Sequence, residues 1–209
     1  MRRLAAALGL LALAGCEANL STFGAPTDEG TRAIALYDGD VVATAPYGYC
    51  ADTQASRPSQ GFALFAGCGL ISALDIMPSA EALLSIQVGR PGSAAVAGQE
   101  GELAGLLMTA AGATLLSEDG DGAEVTVDAV DPRQGIVFVH FTDEGTPPAP
   151  GIETREWRAF FDTGGRLVTI ALRGLARAPL STDGGLQLLE QAAETFRGAN
   201  RPAAQAEGG

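Results

Sequence analysis

Val125-Thr126-Val127-Asp128-Ala129, then Asp131-Pro132-Arg133-Gln134-Gly135, then Ile136-Val137-Phe138-Val139-His140-Phe141 spells out strand, turn and strand. Val125, Val127 and Ala129 alternate with Thr126 and Asp128, the period of two that marks a strand with one dry face. Asp131 to Gly135 carries Pro and Gly where a turn needs them. Ile136 to Phe141 is apolar on both faces and is expected as a central strand covered on both sides. Toward the C-terminus, a Pro-rich loop (Gly145 to Gly151) leads into a strand at 154–161 holding Trp157, Phe160 and Phe161. Asp162-Thr163-Gly164-Gly165 turns the chain back into Arg166 to Arg173, with Val168, Ile170 and Leu172 on one face. The four runs read as an antiparallel meander. Pro179 and Ser181 then open a helix with Ser181 as its N-cap. Leu186, Leu189, Ala193 and Phe196 form its apolar stripe. Gly184 and Gly185 weaken the first turn, so the helix is expected near Leu186, with Gly198 as its C′ residue. A meander followed by one amphipathic helix packed on it is an α+β pattern.

On the N-terminal side, residues 32–37 and 40–45 flank the turn signal Asp38-Gly39, and Pro46 ends the second run. Tyr47-Gly48-Tyr49-Cys50 follows, then a polar loop from Ala51 to Gln60. Gly61 to Cys68 reads as a buried strand and 82–88 as another, closed by Gly89-Arg90-Pro91-Gly92. Glu102 to Ala111 reads as a short helix, apolar on most sides. Interrupted by Gly105 and Gly112, it falls short of the ~20 apolar residues of a membrane span. Phe62 to Met77, broken by Gly67, Gly69 and Asp75, falls short in the same way. Glu17 to Gly30 is polar and irregular and reads as a flexible tether.

The first sixteen residues have a separate logic. Arg2 and Arg3 precede the uncharged run Leu4 to Leu13, which is long enough for the apolar core of a secretory signal and too short to span a bilayer. The run ends in Leu13-Ala14-Gly15-Cys16, which resembles the lipobox of bacterial lipoproteins. That resemblance implies cleavage before Cys16, a diacylglyceryl thioether on its sulfur and an acyl chain on its amine. Ala12-Leu13-Ala14 also fits an ordinary signal cleavage site, which would release a soluble protein. The lipoprotein reading implies a periplasm-facing domain of the bacterial cell envelope, attached by its lipid. By analogy with enterobacterial sorting, Glu17 after the lipid cysteine points to the outer membrane.

With Cys16 assigned to the lipid, Cys50 and Cys68 remain. An even pair in an exported chain is expected to form a disulfide. Closing that loop is worth about 3 kcal/mol in the chain-entropy model.

Charge and composition then exclude several functions. The chain has 25 acidic against 13 basic residues and a net charge of −12. Every basic residue is Arg; Lys is absent. So acidic a chain is a poor ligand for nucleic-acid phosphates and is repelled by anionic lipid. Without Lys there is no P-loop and no Schiff-base lysine. One His and no spare Cys leave no conventional zinc site, and no cofactor motif is present: G-x-S-x-G, H-E-x-x-H and G-x-G-x-x-G after a strand are all missing.

Three features could still carry chemistry. His140 is the one imidazole; near a strand end and followed by Asp143 and Glu144, it could act as a base oriented by a carboxylate, or simply be a hydrogen-bonded strand-end histidine. Glu118-Asp119-Gly120-Asp121-Gly122-Ala123-Glu124 clusters four carboxylates, but Ala123 and Glu124 stand where a calcium loop needs a ligand and a sharp-turn Gly, so it is expected as a solvated turn. Tyr47 and Tyr49 could line a groove, or pack over the disulfide.

Residues 125–198, strands then one amphipathic helix, are similar to the end of the PsbP-like α/β sandwich, a fold that several bacterial lipoproteins use. Val41 to Cys68 is similar to small envelope lipoproteins of unassigned activity. Neither likeness brings an activity with it. The expected organisation is a signal peptide over 1–15, a tether over 16–31, one α+β domain over 32–200 and a disordered tail over 201–209. The expected function is a non-catalytic interaction or accessory module for an envelope protein partner. The alternatives are a small-ligand or cation binder and, third, a hydrolase using His140.

Overall fold

The computed structural model describes residues 30–201 apart from 74–75 and 146–148; Cys16, the signal sequence and the tail from Pro202 onward lie outside the described residues. The C-terminal meander forms as its alternation requires: β6 (Val125–Arg133), β7 (Ile136–Asp143), β8 (Ile152–Thr163) and β9 (Arg166–Leu175) pair antiparallel in sequence. Before them come the hairpin β1 (Ala33–Leu36) and β2 (Val41–Thr44), and a second meander of β3 (Tyr49–Arg57), β4 (Phe62–Gly67) and β5 (Ala82–Val88). The two meanders join through β5 and β9 into one seven-stranded antiparallel sheet, ordered β3-β4-β5-β9-β8-β7-β6. The fold is α+β, with the C-terminal helix packed on a large antiparallel sheet.

Among the described residues four α-helices complete it: α1 (Cys68–Ile71), α2 (Glu100–Leu107), α3 (Ala110–Leu116) and α4 (Thr182–Ala199). Helix α4 and the β1–β2 hairpin cover one face of the sheet, where Trp157, Ala159, Phe161, Val168, Ile170 and Leu172 meet Leu188, Leu189, Ala192 and Phe196. Each large apolar side chain fully buried there contributes roughly 1.5–3 kcal/mol. Helices α2 and α3 cover the other face chiefly over β6 and β7, where Leu107, Leu116 and Val96 pack on Val137, Val139 and Phe141, with Phe160 and Leu167 at the margin of the cluster. Strand β7 is therefore dry on both sides, which explains its unbroken apolar run.

Polar anchors hold this second layer. The Asp162 carboxylate accepts from Ala95, Val96 and Ala97 N–H at 3.0, 2.8 and 2.8 Å, fixing the segment ahead of α2. Glu100 Oε1 accepts from Gly135 N–H at 2.7 Å and ties α2 to the β6–β7 turn.

Three sequence expectations need correction. The segment 51–60 is no loop: Ala51 to Arg57 continue β3, and Pro58–Gln60 form a short 3-10 turn. An edge strand exposed along much of one side shows no apolar alternation to read. The single helix expected over 102–111 is instead two, broken at Met108, with Thr109 capping the second by accepting from Gly112 N–H. Helix α4 starts at Thr182, capped by Ser181 as expected, and runs through Gly184 and Gly185 to Ala199, so Gly198 is interior and Asn200 is the C-cap. Gly185 has a tertiary reason. A Cβ there would lie 2.6 Å from Trp157 Cζ2, so only Gly lets the helix settle on the indole.

No helix among the described residues is long and apolar enough to cross a membrane.

Candidate functional site

Because α2 and α3 stop at β7, the second face of the sheet stays open over β8, β9, β5 and β4. A cleft of about 350 Å³ lies there, lined by Phe62, Leu64, Leu83, Ser85, Ala171 and the charged side chains of Glu118, Glu156 and Arg173. Strand register builds it. Glu156, Arg173 and Leu83 stand in one cross-strand row; Arg158, Ala171, Ser85 and Leu64 stand in the next. All point away from α4, since neighbours on a strand alternate faces.

The charged wall is a closed set of two acids and two bases. Glu156, 1% exposed, lies between Arg158 and Arg173. Arg173 Nε donates to Glu156 Oε2 at 2.6 Å and Arg173 Nη2 to Glu118 Oε1 at 3.1 Å. Arg158 Nη2 stands 3.7 Å from the same Glu118 oxygen, and the Arg158 guanidinium lies over the Phe141 ring at 5.1 Å. Glu118 reaches the wall because its N–H donates to Asp143 Oδ2 at 3.1 Å. Both buried Arg–Glu contacts have their charge balanced locally, the condition under which ions survive away from water. The outcome is a neutral polar wall beside an apolar floor, which suits holding a molecule more than attacking one.

Of the residues singled out from sequence, none of the chemical candidates except Glu118 reaches this cleft. His140 belongs to the α4 face, opposite Trp157 in register and stacked on its indole with centroids 4.6 Å apart. Its expected partners Asp143 and Glu144 are not its neighbours; Asp143 is three residues on, and so on the other face. Asp128 stands there instead, with Oδ2 3.5 Å from His140 Nδ1. Burial pushes the imidazole below its ordinary 6.5, outweighing the upward pull of Asp128. His140 Nε2 is sealed from solvent, so the ring presents no nitrogen to the cleft.

The acidic segment closes on itself. Asp119 Oδ1 accepts from Ser117 Oγ at 2.7 Å and Asp121 N–H at 2.8 Å, which lowers its carboxyl, and Asp121 caps Ala123 N–H. Among the described residues no group of three His, Cys, Asp or Glu side chains is placed to hold a metal.

Tyr49 is buried, and its hydroxyl donates to Ala80 O at 2.6 Å; burial pushes the phenol up. Tyr47 is exposed, with Arg32 over its ring. Cys50 and Cys68 are bonded, with Cα atoms 4.7 Å apart; Cys50 stands opposite Ala66 in β4, and Cys68 comes back beside it where the chain leaves the strand and enters α1.

The sequence reading missed Glu156, Arg158 and Arg173. The available signal was Arg155-Glu156-Trp157-Arg158, where Glu156 and Arg158 share the face opposite a core Trp.

A scan against protein-family models finds no match, and a search of curated proteins finds none. Among solved structures, the chain is similar to a point mutant of the protein Mog1, at 10% identity and a TM-score of 0.41 over 82% of this chain and 93% of that one. It is similar in the same measure to the Saccharomyces cerevisiae Ran-binding protein Mog1p, at 11% identity and a TM-score of 0.41 over 82% of this chain and 92% of that one.

Proposed function

We propose that the protein is a non-catalytic binding module, held at a bacterial envelope membrane through a lipidated Cys16, and that the sheet-face cleft is its binding site. The cleft carries the reading. Its volume of about 350 Å³ falls within the ~300–1,000 Å³ of small-molecule sites. Phe62, Leu64, Leu83 and Ala171 offer an apolar floor, and the mutually paired wall offers hydrogen bonding without a stranded charge. That combination suits an apolar molecule with a polar end, and it favours ligand holding over a purely protein-binding accessory role. Leu13-Ala14-Gly15-Cys16 and the Cys50–Cys68 bond support the exported, anchored setting. His140 sits across the sheet from the cleft, so a bound molecule is out of its reach.

The test uses the full chain extracted in detergent. Native mass spectrometry is expected to find a small apolar species on the wild type and none on Ala171→Trp, whose indole fills the cleft. Equal retention by both would remove the cleft from the reading. A hydrolase screen in which the wild type is active and His140→Ala is dead would overturn the non-catalytic assignment. For the anchor, Cys16→Ser is expected to leave the membrane pellet after a high-salt wash, since stable attachment needs two acyl chains or more.

A further inference from the structure

The described chain begins on top of the disulfide. A Cβ built on Gly30 would clash with Cys50 Sγ and lie 3.1 Å from Ser72 Oγ. Around this point four large apolar side chains are turned outward: Tyr47 is 75% exposed, Leu70 47%, Ile71 38% and Met77 41%. They come from three segments bound together. Cys68 N–H donates to Gly48 O and Gly69 N–H to Ile76 O, both at 2.8 Å, and a Cβ on Gly67 would touch Met77 Cε at 3.3 Å. Arg32, two residues beyond Gly30, places its guanidinium 5.2 Å from the Tyr47 ring centroid. An amphipathic Tyr with an Arg beside exposed Leu, Ile and Met is the composition of a bilayer interface.

We infer that this disulfide end of the domain, presenting Tyr47, Leu70, Ile71 and Met77, rests in the head-group layer of the bilayer that the Cys16 acyl chains enter. The inference depends on the Cys16 anchor proposed above. The tether enters the domain at this end: thirteen residues lie between Cys16 and Gly30, so the surface beside Gly30 is the one nearest the membrane along the chain. Acidic residues outnumber basic ones 25 to 13 in the chain, and such a protein meets a zwitterionic surface without the repulsion an anionic one would impose. The second exposed apolar group, Leu106, Met108 and Leu115 along the α2–α3 segment, lies toward the opposite edge of the sheet from β3 and serves as the control.

The experiment takes full-length, lipid-modified Tyr47→Trp, Leu70→Trp and Leu115→Trp, reconstituted into phosphatidylcholine vesicles with or without bromine on the acyl chains. The native Trp157 is buried and gives a constant background. Seating within ~5–10 Å of the head-group boundary is expected to quench the added emission at least about twofold in Tyr47→Trp and Leu70→Trp, and to leave Leu115→Trp unchanged. Vesicle-bound protein with no quenching at 47 and 70, or with equal quenching at 115, would overturn the inference and leave the anchor standing. Protein that fails to float with vesicles and matches Cys16→Ser would overturn both.

Discussion

Removing the Glu156 carboxylate isolates what the cleft wall contributes. Glu156→Leu takes away the acid between Arg158 and Arg173 while keeping a side chain of similar bulk. Arg173, 6% exposed, then retains only Glu118, whose side chain is 42% exposed. Breaking a buried ion pair by deleting one partner costs about 3–5 kcal/mol, because the remaining charge is left desolvated. The surviving contact to Glu118 places the expected loss near the lower end, about 3 kcal/mol, out of the ~5–15 kcal/mol typical of a domain. At a urea slope of about 1–3 kcal/mol per molar, the midpoint should fall by roughly 1–3 M. The double variant Glu156→Leu with Arg173→Met removes one of the two guanidiniums left behind and frees Glu118 for Arg158, so it should recover part of the loss, since apolar replacement of a buried pair is often neutral or stabilising. Urea unfolding followed by Trp157 fluorescence, with the disulfide kept oxidised, measures all three proteins. A loss below about 1 kcal/mol in Glu156→Leu, or a double variant no better than the single, would refute the reasoning.

The two α4 glycines give opposite expectations. Gly198→Ala meets nothing within 4 Å and should stabilise by roughly 0.5–1 kcal/mol from helix propensity, whereas Gly185→Ala drives a methyl into Trp157 and should destabilise by about 1–3 kcal/mol; thermal unfolding decides both. Reducing Cys50–Cys68, which closes a separation of 18 residues, should lower stability by about 3 kcal/mol, and alkylation of both thiols in unreduced protein would rule the bond out. His140 binds its proton less readily folded than unfolded, because burial disfavours the imidazolium, so its contribution is complete above the ordinary 6.5 and is lost as pH falls below it. His140→Phe should therefore flatten the stability profile as pH falls below about 6.5, and an unchanged slope there would count against the assignment.

Local chemistry made much of the architecture legible. Val125 to Ala129, Ile136 to Phe141 and Val168 to Leu172 alternate or run apolar because each must keep water off one or both faces of a sheet. Ser181 was visible as a cap because its hydroxyl satisfies a backbone N–H within its own turn. Strand β3 was not, since its pairing with β4 breaks between Asp52 and Arg57, where Gln54 and Ala55 N–H donate to the Asp52 carboxylate and no apolar alternation marks the strand.

Gly184-Gly185 shows the same division. Intrinsic propensity argues against helix there, and the Trp157 ring, 28 residues earlier in the chain, overrides it by demanding a bare Cα. The cleft belongs wholly to the tertiary level. Sequence alone determined the α+β class, the apolar faces, the charge balance and the lipobox-like Cys16 segment, all of which follow from residues near one another. The tertiary structure decided that β9 inserts between β5 and β8, which sets Glu156 opposite Arg173, and that α2 and α3 stop at β7. Charges that look solvated along a strand become a buried wall only when strands distant in sequence come into register, and no local pattern encodes that register.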